Sequence, residues 1–157
     1  MRAVLVGLAA ACASAPPPPP TVEPDAVMAA HAEWKKVYDR TSVSEDVAQA
    51  FSDIGSDITV MVVFGDWCVD SRREVPAYWR VMDVAEPRFR STYVPVDRTK
   101  VARGLRDIRY VPTFLVFKDG REVGRLVESP ETELFADLIA LMRGARSGVI
   151  SGRDDLD

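Results

Sequence analysis

Two cysteines are the strongest nucleophiles this 157-residue chain offers, and Cys68 stands where one could be used. The stretch Phe64-Gly65-Asp66-Trp67-Cys68-Val69-Asp70-Ser71 follows an unbroken apolar run from Ile58 and precedes an amphipathic segment, so Cys68 falls where a strand hands over to a helix. Unpaired N–H groups and the positive end of the helix dipole stabilise a thiolate there, and such settings lower a cysteine pKa from about 8.5 into a range of roughly 3.5 to 7.5. The thiolate is the nucleophile of disulfide exchange. Asp66 and Asp70 would oppose ionisation while Arg72 or Arg73 would offset them, so the sign of the net shift is open at this level. The same charges make the stretch polar, which favours an accessible thiol over an inert buried one.

No other constellation competes. His31 is the single histidine. A zinc site or a cysteine–histidine dyad would have to recruit it from a separate helix, where an exposed side chain is the simpler reading, so no metal and no cofactor are expected. Asp154, Asp155 and Asp157 close the chain without an evident acid/base partner and read as solvated charge in a polar tail.

The elements that must position Cys68 follow from periodicity. Asp25–Arg40 and Ser44–Phe51 read as helices, the second opened by a Ser-Glu-Asp signature. Ile58–Phe64 reads as a strand buried on both faces. Val75, Tyr78, Trp79 and Met82 recur at helical steps, in a helix that contains Pro76 and is expected to kink there. Thr92–Val96 is an edge strand, because Pro95 cannot donate to a ladder, and Asp97 is placed to cap a short helix through about Asp107. Thr113–Phe117 and Glu122–Val127 form a hairpin around Asp119-Gly120. Ser129-Pro130-Glu131 predicts a helix start ahead of Leu134, Leu138 and Leu141. Helices alternating with strands predict an α/β fold, a mixed central sheet with helices on both faces and an N-terminal helical extension.

Trp67-Cys68-Val69-Asp70-Ser71 after an apolar strand resembles the Trp-Cys-x-x-Cys active site of the thioredoxin family, and Val111-Pro112-Thr113-Phe114 resembles its cis-proline loop. Pro112 follows Cys68 by 44 positions and Pro76 follows it by eight, where that family also places a helix-kinking proline. The resemblance spans about Asp57 to Met142 and implies a thioredoxin-like fold. It further implies an attacking thiol at Cys68 and a flanking surface aromatic at Trp67. Pro112 would be a cis residue facing the sulfur, beside a substrate groove formed with Val111 and Thr113. By residues alone the alternative for Pro112 is an ordinary strand-initiating proline. Two departures matter. Ser71 replaces the resolving cysteine, so Cys68 cannot close an internal disulfide, although the hydroxyl could donate toward the sulfur; and Val62 stands where the family carries a buried carboxylate.

Two functions follow. One is single-thiol disulfide reductase or isomerase activity through mixed disulfides on Cys68, with release by a low-molecular-weight thiol or a partner reductase. The other is a redox-inactive binding or scaffold module of the same fold. A dithiol pair of Cys12 with Cys68 is a third arrangement, open only if Cys12 stays unmodified.

The net charge of −4 and pI near 5.1 argue against a nucleic-acid partner, and two cysteines cannot staple a disulfide miniprotein. Residues 1–15 read as a signal peptide: Arg2, an apolar run from Ala3 too short to span a membrane, then small residues. Cys12 after three alanines resembles the lipobox of bacterial lipoproteins, with Ala9 where leucine is usual. Cleavage before Cys12 would leave a lipid anchor; ordinary cleavage after Ala13 or Ala15 would leave a periplasmic or secreted protein. Pro16–Pro20 make residues 16–24 a stiff linker, 25–145 the thioredoxin-like domain and 146–157 a flexible tail. The expected partners are envelope proteins with thiols or disulfides, and a membrane through Cys12.

Overall fold

The computed structural model describes residues 17–102, 104–105 and 107–156; the expected signal segment, Cys12, Pro16 and Asp157 lie outside them. In chain order the elements are α1 (Pro24–Ala30), α2 (Ala32–Arg40), α3 (Glu45–Ser52), β1 (Ile58–Phe64), α4 (Val69–Ala85), β2 (Arg90–Pro95), β3 (Thr113–Lys118), β4 (Arg121–Val127), α5 (Leu134–Met142) and β5 (Gly148–Ile150). The single helix expected over Asp25–Arg40 is two, because His31 takes extended backbone (φ −132°, ψ 91°) as the end of one and the N-cap of the next. Ser44 caps α3 as its sequence signature predicts, its Oγ accepting from the Val47 amide at 3.3 Å.

The sheet runs β2-β1-β3-β4-β5. The outer pairs β1/β2 and β4/β5 are parallel, and the inner pairs β1/β3 and β3/β4 are antiparallel. The edge position of β2 matches the expectation from Pro95, and its outer side takes one further bond, from the Val22 amide to the Tyr93 carbonyl at 3.0 Å. The β3–β4 turn has both Asp119 (φ 49°) and Gly120 (φ 76°) in the left-handed region, the backbone that Asp-Gly supplies to a two-residue hairpin.

Alternation in β1 sends Ile58, Val60, Val62 and Phe64 to one face, where Trp34 of α2, Phe51 of α3, Tyr78 and Trp79 of α4 and Leu138 of α5 complete a continuous core. The aromatic rings meet at centroid separations of 5.4 Å for Trp34–Phe64 and 5.5 Å for Trp34–Trp79. Burying each such side chain is worth roughly 1.5–3 kcal/mol. Val63 of β1, Val94 of β2 and Leu115 of β3 point to the other face and join Ala102 and Val111 in a smaller cluster.

Four expectations are corrected. Helical cover on both faces is met on one face only among the described residues, since the core side chains that the five helices contribute belong to the larger cluster and none to the smaller. The short helix expected from Asp97 is absent among the described residues of 97–107; the Asp97 carboxylate instead accepts from the Thr99 amide at 2.9 Å, which closes a local turn. The helix expected to open at Ser129-Pro130 begins at Leu134, because Asp137 turns its carboxylate back onto the Glu131 and Thr132 amides (2.8 and 3.1 Å) and holds that segment outside the helix. The tail expected to fray from residue 146 contributes β5, anchored by fully buried Ile150. Gly124 makes this approach feasible: a Cβ there would stand 2.7 Å from the Gly148 carbonyl oxygen.

Candidate active site

Cys68 is the N-cap residue of α4, with extended backbone (φ −92°, ψ 129°); its amide donates to the Gly65 carbonyl at 3.0 Å and its carbonyl accepts from the Arg72 amide at 3.1 Å. Its side chain does not cap the helix. The thiol donates instead to the Val111 carbonyl oxygen at 3.0 Å, and the peptide bond that follows, Val111–Pro112, is cis. Half-buried Cys68 thus looks across a narrow gap at the loop that sequence placed opposite it. The Pro112 carbonyl accepts from the Glu128 amide at 2.7 Å, and buried Thr113 opens β3 with its hydroxyl on the Tyr110 carbonyl at 2.7 Å.

Trp67 lies half-buried beside the thiol. Its indole N–H donates to the Val96 carbonyl at 3.0 Å and its face carries the Arg98 guanidinium at 4.9 Å. Gly65 is required beneath it, because a Cβ would sit 2.6 Å from the indole ring. Ser71 is fully buried and its Oγ accepts from the Gly65 amide at 3.2 Å, so the hydroxyl ties the end of β1 to the first turn of α4. That contact is with the backbone, and among the described residues Val111 is the one hydrogen-bond partner of the Cys68 sulfur.

The charges near the thiol compensate one another. Asp70 pairs with Arg73 at 2.9 Å, and exposed Asp66 has the His31 Nε2 at 3.5 Å. The Arg72 Nε is buried without a partner among the described residues. Val62 is fully buried in an apolar setting, while the carboxylate that α4 does bury is Glu74, with the Arg73 Nε at 2.6 Å. Desolvation raises the Glu74 pKa, opposed by the bond from Arg73. No group of three or more His, Cys, Asp or Glu side chains among the described residues is arranged to hold a metal ion.

Cys68, Trp67, Val111, Pro112, Thr113 and Ser71 all belong to the junction of β1, α4 and the loop before β3. Sequence reasoning missed His31, whose proximity to Asp66 depends on the break between α1 and α2, and Arg98, which stands in the turn that Asp97 closes on Thr99 rather than in a helix. Neither has a local signal.

A family model described as thioredoxin matches residues 23–136. No curated protein matches the chain. Among solved structures, a Pseudomonas aeruginosa protein of unknown function is similar at 16% identity over 77% of this chain and 86% of its own, with a TM-score of 0.56. An HIV epitope-scaffold is similar at 14% identity over 80% of this chain and 94% of its own, with a TM-score of 0.63. These likenesses speak to the fold alone.

Proposed function

The chain belongs to the thioredoxin family, and from that premise we propose that it exchanges disulfides through Cys68 alone. The observation that carries this reading is the Cys68 thiol at 3.0 Å from the carbonyl that precedes the cis Val111–Pro112 bond. Deprotonated Cys68 attacks one sulfur of a partner disulfide. A bond forms from Sγ to that sulfur, the partner's S–S bond breaks, and its second sulfur leaves as a thiolate that takes a proton from water. With serine at position 71, resolution comes from outside. A low-molecular-weight thiol, or the thiol of a partner reductase, attacks Cys68 Sγ in the mixed disulfide and releases the partner as a second thiolate; another such thiol then attacks the incoming sulfur, frees Cys68 and leaves joined to the first as their disulfide. An extended partner strand pairing with Val111 would displace the thiol from its carbonyl at the stage when the sulfur must be free to react. The apolar run ahead of Cys12 supports an exported setting with envelope proteins as substrates.

The test is intact-mass analysis of the protein with glutathione disulfide and with a disulfide-bearing peptide. The expected result is one adduct on Cys68, absent in Cys68→Ala, retained in Ser71→Ala and shortened in lifetime by Ser71→Cys, which supplies an internal resolving thiol. No adduct with either reagent overturns the reading. It would favour the scaffold alternative, which draws on Ser71 being committed to the Gly65 amide and on buried Val62. That alternative predicts partner capture unchanged by Cys68→Ala.

A further inference from the structure

The C-terminal carboxylates read from sequence as solvated charge are in part bound to the loop that faces the thiol. After β5, the Ser151 hydroxyl donates to the Val127 carbonyl at 2.8 Å and the Gly152 amide to the Ser129 carbonyl at 2.9 Å, which lays the segment along the end of β4. Arg153 then makes three contacts at once. Its guanidinium lies over the Tyr110 ring at 4.0 Å, donates to the Glu128 carboxylate at 2.5 Å, and forks onto Asp155 at 2.7 and 2.9 Å. The Tyr110 hydroxyl closes the circuit by donating to Asp155 at 3.1 Å.

Tyr110 is two residues before Pro112, and Glu128 is the residue whose amide holds the Pro112 carbonyl. Both flanks of the Val111–Pro112 bond are therefore held by residues that Arg153 holds. We propose that Ser151–Asp155 is a clamp that fixes the cis-proline loop against Cys68, with Arg153 as its positioning residue. The proposal rests on the exchange reading only for the identity of the groove; the clamp itself is a matter of loop geometry. A planar guanidinium suits the role, since it can stack on a ring and fork onto carboxylates together, where an ammonium makes a point contact. The bonds from Arg153 hold the Asp155 carboxyl down at about 2, so the pair stays ionic at neutral pH. Exposed ion pairs are individually weak, and the strength here comes from three contacts sharing one side chain.

Two measurements on the full chain test this: amide hydrogen exchange at Glu128 and Gly152, which donate to the Pro112 and Ser129 carbonyls, and the ratio of the Cys68 reaction rate with a disulfide-bearing peptide to that with iodoacetamide, which needs no groove. Arg153→Ala is expected to speed amide exchange at Glu128 and Gly152 by about fivefold to tenfold, the loss of one cation–π contact and two exposed ion pairs, and to lower the rate ratio. Amides of β1 and α4 should be unchanged, which shows that the variant folds. Arg153→Lys should recover part of the protection, and Tyr110→Phe, which keeps the ring and loses the Asp155 bond, should fall between wild type and Arg153→Ala. Unchanged protection of the Glu128 and Gly152 amides in Arg153→Ala overturns the clamp. Faster amide exchange with an unchanged rate ratio overturns its positioning role. If wild type forms no peptide adduct, the exchange reading falls while the amide protection still decides the clamp.

Discussion

Where Trp34, Phe51, Tyr78 and Trp79 meet, five helices close over one face of the sheet, while on the other face Val63, Val94 and Leu115 pack with Ala102, Leu105, Ile108 and Val111, described residues that lie outside any helix or strand. The candidate site draws one partner from each side. Cys68 is carried by α4, a regular element anchored through large buried aromatics. Pro112 is carried by a loop held through scattered bonds: Thr113 to Tyr110, the Lys100 ammonium to the Arg109 carbonyl at 2.6 Å, and Arg125 to the Asp107 carbonyl at 3.2 Å. Regions with few buried apolar contacts and many exposed backbone bonds open at lower free energy than the core. A thiol on a core-anchored helix thus faces a loop whose position depends on individual polar bonds.

The largest expected contrast between the faces is in core truncation. Trp79→Ala should destabilise the fold by about 3–5 kcal/mol, against about 2 kcal/mol for Leu115→Ala, whose irregular cover can collapse into the space left. Urea denaturation measures both, and equal losses would remove the asymmetry. Next, Ser44→Ala should cost about 1 kcal/mol through loss of the α3 cap; the same denaturation series checks it, and a null result would mean that α3 is held by its core contacts alone. The smallest effect concerns Glu74, the carboxylate α4 buries at the rim of the larger core. Burial raises its pKa, so the folded chain keeps that proton to higher pH than the unfolded chain, and stability falls as pH rises upward from the ordinary glutamate value near 4.5. Glu74→Gln should flatten that slope in denaturant midpoints taken from acid to neutral pH, and an unaltered slope would assign the dependence to other groups.

Most of the helix-covered face was legible in the sequence. An apolar strand, a Ser-Glu-Asp cap and aromatic residues at helical steps are local signals, and each formed the element it predicts. The strand-to-helix cysteine was legible for the same reason, while the Val-Pro pair was read through its resemblance to a family pattern. The other face was not. Asp97 offers one carboxylate that can cap a helix or close a turn on Thr99, and its choice depends on what covers Val94 and Leu115. Ser129-Pro130 is a sound helix start until Asp137, about two turns further on, claims the Glu131 and Thr132 amides. Gly148–Ile150 is too short to read as a strand, and becomes one because Gly124 leaves room for it beside β4.

The sequence by itself determined the chemistry on offer: one thiol at a helix N-terminus, a serine where a second thiol would resolve it, and a proline loop 44 residues on. The place of the thiol depends on residue identity and short-range backbone preference, which need no knowledge of the rest of the chain; the serine and the proline took their meaning from the family pattern they match. Only the tertiary structure decided the partners. It gave the Ser71 hydroxyl to Gly65, the thiol to Val111, and the Tyr110 ring to an arginine 43 residues away at 4.0 Å. Hydrogen bonds and ring contacts act over a few ångströms, so which groups come within reach is fixed by how the elements pack, and no local pattern encodes that.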